Sequence, residues 1–360
     1  MVDDLGMMRR ALFHAARAQG ATVPNPVVGA VVVDADGVVV GQGFHERAGL
    51  AHAEVVALDA AGARARGATL YVTLEPCCHT GRTGPCTRRI VASGVRRVVA
   101  ATLDPYPQVA GHGVRELRES GIAVDVGLDE RAARRLNAAY LMAYEHRRPL
   151  VVLKAATSRD GRIAAAPGQR TRISGPAAGR RTQLLRAATD ALAVGVGTIL
   201  ADDPVLTVRE VVRERPYTRI VFDRQLRTPA SARVLRTPEG GRVIMVAAAA
   251  TLADQARRVR EIESAGAVVI GAASLVEACQ QLVGLEVHTL LVEGGGRLHR
   301  TFWEAGLVDR LHLIVAPDLL GDGGVALFDG VPVPWQALTG LTAEPCGRDV
   351  WIEADVHWNR

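Results

Sequence analysis

His52-Ala53-Glu54, followed by Pro76-Cys77 and then Cys86, constrains this chain more than any other feature, because the three metal donors it supplies must converge on one point. A catalytic zinc takes three protein ligands and keeps a fourth position for water, and a histidine with two cysteinates meets that need at ~2.0–2.3 Å. Glu54 stands two residues beyond His52, near the metal without having to bind it. A structural zinc fills all four positions and has no use for such a carboxylate, whereas a zinc that activates water needs a proton carrier beside it. The pattern predicts one catalytic Zn2+ per chain, with Glu54 as the catalytic acid/base.

The last ligand is not where the commonest spacing would put it. Zinc deaminases of nucleobases carry H-x-E and then P-C-x-x-C, but position 80 here is Thr80. Cys78, His79 and Cys86 are the candidates. The turn-rich run from Cys78 to Pro85 can fold Cys77 and Cys86 onto one ion. Adjacent Cys77 and Cys78 would compete for one face of a small ion, so Cys86 is the better ligand and Cys78 a bystander. The predicted set is His52, Cys77 and Cys86.

Other segments extend the pattern over the chain. The first half also holds Pro24-Asn25-Pro26-Val27-Val28-Gly29 and Gly43-Phe44-His45. The second holds Lys154 to Gly161, Leu184-Leu185-Arg186, Ala201-Asp202-Asp203-Pro204, Leu206-Thr207-Val208-Arg209 and Val292-Glu293-Gly294-Gly295. In this order and combination the chain resembles the bifunctional deaminase/reductase family of riboflavin biosynthesis. The resemblance implies an N-terminal cytidine-deaminase-like three-layer α/β/α domain and a C-terminal dihydrofolate-reductase-like α/β domain. It implies zinc-dependent hydrolytic deamination of a diamino-hydroxy-phosphoribosylamino-pyrimidine, then NADPH-dependent reduction of the ribosyl side chain to ribityl. Asn25, His45, His79 and Arg82 would hold the deaminase substrate. NADPH contacts are carried onto Thr157, Arg172, Thr198, Asp202 and the run Gly295, Gly296, Arg297, Leu298, His299, Arg300 and Thr301. Reductase substrate contacts are carried onto Lys154, Arg170, Arg186, Leu206, Arg209 and Glu293. The chain departs from the family at Arg159, at Arg172, where tryptophan is common, and at Tyr106, which replaces asparagine.

Some of this stands without the resemblance. Of 43 Lys plus Arg residues only Lys154 is lysine, and asparagine occurs only at 25, 137 and 359. Arg and Lys are not interchangeable at tight sites, so the single lysine marks a position of function. Val292-Glu293-Gly294-Gly295-Gly296-Arg297 reads as a strand running through glycines into a helix, a geometry that aims backbone N–H groups at a phosphate. Arg186 and Arg209 can each grip a phosphate bidentately.

At 360 residues the chain suits two domains, each able to bury its own core. Leu5, Met8, Leu12 and Ala15 recur at helical spacing, Val27–Val33 and Val38–Gly43 form a hairpin pair, and Ala53–Ala61 is a helix with Glu54 in its first turn. Strands are expected at 68–74, 95–102 and 122–126. The polar segment His146-Arg147-Arg148-Pro149 sets a boundary between a deaminase domain, residues 1–146, and a reductase domain, residues 150–360. Beyond it, apolar strands at 150–156, 191–196, 219–222, 243–248, 268–270, 289–292 and 311–316 alternate with helices and imply a mainly parallel sheet.

The net charge of +5 is dispersed and aromatic residues make up only 4%, which argues against nucleic acid and is satisfied by a small phosphorylated pyrimidine and NADPH. No apolar stretch is long enough for a bilayer and no signal segment is apparent, so no membrane partner is expected. Five cysteines, two of them assigned to zinc, fit a reducing compartment. A cytoplasmic homo-oligomer is expected. The alternative is a deaminase of another pyrimidine or of RNA, joined to a non-catalytic reductase-like module.

Overall fold

The computed structural model describes residues 3–81, 84–213, 217–333 and 335–356. Two compact units divide the chain, Met1–His146 and Arg147–Arg360.

In the first unit a five-stranded sheet runs β1 (Gly29–Val33), β2 (Val39–Phe44), β3 (Thr69–Val72), β4 (Arg97–Ala100) and β5 (Ala123–Val126), in spatial order β2-β1-β3-β4-β5. Its helices are α1 (Asp4–Ala16), α2 (Ala53–Ala61), α3 (Cys86–Ser93), α4 (His112–Glu119), α5 (Glu130–Leu136) and α6 (Ala138–Glu145). β1 pairs antiparallel with β2 and β3, and β3, β4 and β5 are parallel. Successive residues of a strand face opposite sides, and in β1 both sides are apolar. Val31 and Val33 join Met8 and Ala11 of α1, while Ala30 and Val32 join Ala53, Ala57 and Leu58 of α2. A strand that is apolar on both faces must be covered on both, and the three expected layers follow. Gly41 sets how closely α2 lies on β2, because a Cβ there would collide with the Ala57 carbonyl oxygen. The start of α2, with His52 and Glu54, is thereby fixed against the sheet.

The second unit carries β6 (Leu150–Thr157), β7 (Arg162–Ala164), β8 (Ala191–Gly195), β9 (Thr218–Phe222), β10 (Arg242–Ala248), β11 (Ala267–Ala272), β12 (Thr289–Glu293), β13 (Arg310–Val315), β14 (Val325–Ala326), β15 (Leu338–Cys346) and β16 (Asp349–Val356). Nine of these strands form one sheet in the order β11-β10-β9-β8-β12-β6-β13-β16-β15, and β14 pairs with β7. Every pairing from β11 to β13 is parallel, as the alternation of strands and helices predicts. The hairpin β15–β16 closes one edge antiparallel and is not anticipated from the sequence. β15 is mostly exposed and contains Gly340 and Pro345, residues that weaken a strand signature and are tolerated at an edge. The helices are α7 (Pro176–Ala188), α8 (Val196–Asp202), α9 (Ala249–Asp254), α10 (Ala256–Ser264), α11 (Leu275–Gly284) and α12 (Gly296–Glu304). Val151 and Leu153 of β6, with Leu290 and Val292 of β12, pack in one core with Leu282 of α11 and Phe302 of α12.

Arg148, which the sequence places in a polar connecting segment, is buried. Its guanidinium makes a two-point pair with Asp309 at 2.6 and 2.7 Å, and Asp309 also accepts the Val151 N–H at 2.8 Å. Carbonyls of Pro149 and Leu307 accept from the same guanidinium. This cluster ties the start of β6 to the segment leading into β13. Arg148→Ala would strand a buried carboxylate, a loss of about 3 kcal/mol. For a unit of this size that corresponds to a fall in Tm of roughly 6–12 °C by calorimetry; a shift within about 1 °C would show that the pair does not hold the unit together.

Candidate active sites

His52 occupies the position just before α2 in an extended conformation, φ −73° and ψ 159°, and Glu54 lies buried in the first turn. Cys77 follows β3, and Cys86 is the first residue of α3. His52 Nδ1 is 3.4 Å from Cys77 Sγ and 3.2 Å from Cys86 Sγ. All three donor atoms lie within 4.8 Å of one another, and no other such His/Cys/Asp/Glu group occurs among the described residues. Tetrahedral zinc with these ligand types has donor–donor edges of roughly 3.5–3.8 Å, so the cluster fits the ion. Cys78 stands apart, with its sulfur 3.4 Å from the Gln108 carbonyl.

The turn after Pro76 closes because α4 has a glycine opposite it. A Cβ on Gly113 would collide with the Pro76 carbonyl oxygen. Glu75 organises the same region, accepting the N–H groups of Asp104 at 3.2 Å, Gly111 at 2.9 Å and Val114 at 3.0 Å. The N–H of Cys86, at the start of α3, donates to Cys77 Sγ at 3.4 Å. Hydrogen bonding from Cys86 holds the Cys77 thiol down at about 4, against the opposing effect of burial. The same pairing with Cys77, together with burial, pushes Cys86 far above the ordinary thiol range. Burial raises Glu54 to about 7, and the charge of Cys77 adds to it.

A cavity of about 280 Å³ opens onto this cluster, and Asn25, His45, His79 and Glu54 line it. His45 Nδ1 lies 3.1 Å from the Ala51 carbonyl and Nε2 lies 3.0 Å from Asn25 Nδ2. A carbonyl only accepts, so Nδ1 carries the proton and Nε2 accepts from the Asn25 amide. Burial keeps His45 below its ordinary value, in line with this neutral form. The pair fixes which way the Asn25 amide faces and leaves Oδ1 for a ligand. Asn137 braces the loop from behind, its amide accepting the Val27 N–H and donating to the Val27 carbonyl, both at 2.9 Å. Arg82 lies outside the described residues.

Several lining residues carry no local signature in the sequence. Tyr106, Tyr140 and Tyr144 all face the cavity, as does Asp104. Asp104 Oδ1 accepts the Tyr106 N–H at 2.8 Å and the Tyr140 hydroxyl at 2.9 Å, and burial raises the Asp104 carboxyl to about 6. Scarcity was the available signal: the chain has five tyrosines, and three of them are here. The same holds for asparagine, since two of its three occurrences build this pocket.

In the second unit, Glu293 at the end of β12 stands in register with Lys154 of β6. Arg186 of α7 grips Glu293 at two points, 2.9 and 2.7 Å, and donates to the Thr207 carbonyl at 3.2 Å. The fork that a phosphate would need from Arg186 is therefore engaged by Glu293. Burial alone would raise the Glu293 carboxyl, but Arg186 overcomes it and holds the group at about 2. Burial lowers Lys154, with Glu293 opposing.

Beyond Glu293 the chain passes through Gly294 and Gly295, both left-handed at φ +76° and +80°, into α12. Thr198 Oγ1 of α8 lies 2.9 Å from where a Cβ on Gly294 would be, so Thr198 and the turn before Gly296 are neighbours. Asp202 ends α8, Leu206 is buried with φ +60°, and Thr157 is buried at the end of β6. Arg209 donates its backbone N–H to Gln183 at 2.8 Å and keeps its side chain exposed, as do Arg170, Arg172, Arg297 and Thr301. Arg300 pairs with Glu304 at 2.7 Å, Leu298 packs against the core, and His299 is buried beside Phe328.

Residues 1–102 match the family model of the cytidine and deoxycytidylate deaminase zinc-binding region, and residues 149–352 match that of the RibD C-terminal domain. The chain is thus a bifunctional enzyme, a zinc-dependent deaminase followed by a reductase of the NADPH-using type. It belongs to the RibD family of riboflavin biosynthesis proteins. RibD of Aquifex aeolicus is 42% identical over 89% of this chain and 88% of its own length, and RibD of Escherichia coli is 42% identical over 89% of each. Among solved structures, Acinetobacter baumannii RibD superposes with TM-score 0.88 at 36% identity, covering 99% of both chains. A deaminase/reductase from Thermotoga maritima does so with TM-score 0.86 at 31% identity, covering 98% of this chain and 99% of that one. Among the described residues no helix is long and apolar enough to cross a membrane.

Proposed function

We propose that the first unit removes an amino group from a diamino-hydroxy-phosphoribosylamino-pyrimidine and that the second reduces the ribosyl chain of the deaminated product. The observation that carries this reading is the convergence of His52, Cys77 and Cys86 on one point of a cavity that Glu54 also lines. The Thermotoga relative is described as a diaminohydroxyphosphoribosylaminopyrimidine deaminase and phosphoribosylaminouracil reductase, which supports the substrate.

His52, Cys77 and Cys86 would hold the zinc, which when bound supplies a Lewis acid that activates water for hydrolysis. Glu54 takes a proton from that water and delivers it to the departing amine, so that ammonia leaves and a ring carbonyl remains. Asn25, oriented by His45, reads an edge of the pyrimidine, and His79 and Arg82 hold its phosphoribosyl tail. A cavity of about 280 Å³ is close to the size that takes one small molecule.

In the second unit NADPH supplies the hydride, and the protein's part is to place cofactor and sugar. The turn Gly294–Gly295, α12 and Thr198 are assigned to the cofactor, with Thr157, Asp202 and Arg172. Arg186 acts by fixing Glu293, and Glu293 and Lys154 hold the sugar. Arg170 and Arg209, whose side chains are exposed, are left for its phosphate.

The test is NADPH oxidation by the zinc-loaded chain with the diaminopyrimidine as sole starting material. Absorbance loss coupled to ammonia release is expected. Ammonia without NADPH oxidation would leave a deaminase beside an inactive reductase, and the absence of both signals would overturn the substrate.

A further inference from the structure

We propose that Tyr106 is a specificity-determining residue of the deaminase pocket, presenting a ring face on which the substrate's flat heterocycle rests. The inference rests on the reading that this pocket takes the diaminopyrimidine. His79, Tyr106, Tyr144 and Tyr140 form an unbroken row of rings, with centroids 5.5, 5.4 and 4.7 Å apart in that order. Such a row is unexpected in a chain with only 4% aromatic residues.

Each ring of the row has a different standing. Tyr140 is 8% exposed, belongs to the hydrophobic core and spends its hydroxyl on Asp104. Tyr144, one turn further along α6, is 37% exposed. Tyr106 lies between them in exposure, lines the cavity and belongs to no core cluster of the described residues. Its ring neighbours, His79 and Tyr144, line the same cavity.

Its backbone, in contrast, is tightly held. The Tyr106 N–H donates to Asp104 at 2.8 Å, and its carbonyl accepts from Val109 at 2.8 Å and Ala110 at 2.9 Å. A cavity-lining ring whose backbone is held at three points and which sits between the rings of His79 and Tyr144 is preorganised to receive a flat ligand at little entropic cost. Asp104, which ties Tyr106 to Tyr140, is the positioning residue for this wall.

The experiment compares the zinc-loaded full chain with Tyr106→Ala and Tyr106→Phe, following ammonia release against substrate concentration. NADPH oxidation with the pre-deaminated substrate serves as an internal control. Stacking on one ring predicts a KM raised roughly tenfold or more in Tyr106→Ala. The turnover number should stay within about threefold, zinc content should be unchanged, and Tyr106→Phe should match the unsubstituted enzyme, as expected where a ring face and not a hydroxyl is used. Unchanged KM in Tyr106→Ala overturns the inference, as does equal impairment of the Phe and Ala variants. Loss of zinc together with turnover would assign Tyr106 to the fold and overturn it too. Absence of ammonia release by the unsubstituted enzyme would instead overturn the functional reading, and this inference with it.

Discussion

Glu54→Gln is expected to cut ammonia release by about 10³-fold, the scale of a lost general acid/base, while NADPH oxidation with pre-deaminated substrate continues at the unsubstituted rate. The substitution keeps the shape of a side chain that is 3% exposed, so packing at the start of α2 survives. His52, Cys77 and Cys86 are untouched, and the zinc content should remain one per chain. On the proposed mechanism, what is lost is the group that moves a proton between water and the leaving amine. Ammonia release at the original rate would remove Glu54 from the mechanism. Loss of both activities would contradict the division of the chain into two catalytic units.

Glu293→Gln should act on the other half, through charge. Arg186 and Glu293 are only 16% and 11% exposed, and Lys154 stands in register with Glu293. Neutralising the carboxylate leaves Arg186 facing Lys154 without a counter-charge, which costs about 3 kcal/mol or more. Reductase kcat/KM is expected to fall about 100-fold if the Lys154–Glu293 pair positions the sugar. Ammonia release should not change. The same pair predicts a pH dependence. The Glu293 carboxyl titrates at about 2 in the folded unit, below the ordinary 4.5 that it has when unfolded. Its stabilising effect is therefore complete above pH 4.5 and is lost as pH falls toward 2. A reductase unit whose Tm stays flat between those limits, or a Glu293→Gln variant as stable as the parent, would show that the ion pair contributes little.

How much of this was legible in the sequence depends on how local each feature is. α2 is bounded as its sequence predicts, because apolar spacing and the residues that start a helix are neighbours in the chain. The parallel strands of the second unit are short apolar runs and were legible for the same reason. Choosing Cys86 over Cys78 needed only the steric limits of adjacent side chains. Contacts across long separations were not legible. Nothing near Asn137 in sequence tells that it braces Val27, and the Tyr106–Tyr140–Asp104 cluster joins a loop to a helix more than thirty residues away. Arg148 was misplaced because a buried arginine and a solvated one look alike until Asp309 is found beside it. The pairing of Arg186 with Glu293 was hidden for the same reason, the two lying more than a hundred residues apart. The edge strand β15 was lost because it is mostly exposed and so lacks the alternation that marks a half-buried strand.

The brace from Asn137 to Val27 bears on how short a working deaminase can be. All three zinc ligands and Glu54 lie within the segment that matches the zinc-binding family model, which ends at residue 102. Asn137, Tyr140 and Tyr144 lie beyond it, on α6 or at its threshold, yet one secures the Asn25 loop and the others line the cavity. A fragment trimmed to the metal motif would keep every atom that ligates the ion and lose the scaffold that shapes the space above it. A fragment cut from this chain must therefore reach past Tyr144 to keep that scaffold, and metal affinity by itself is a poor guide to where it can be cut.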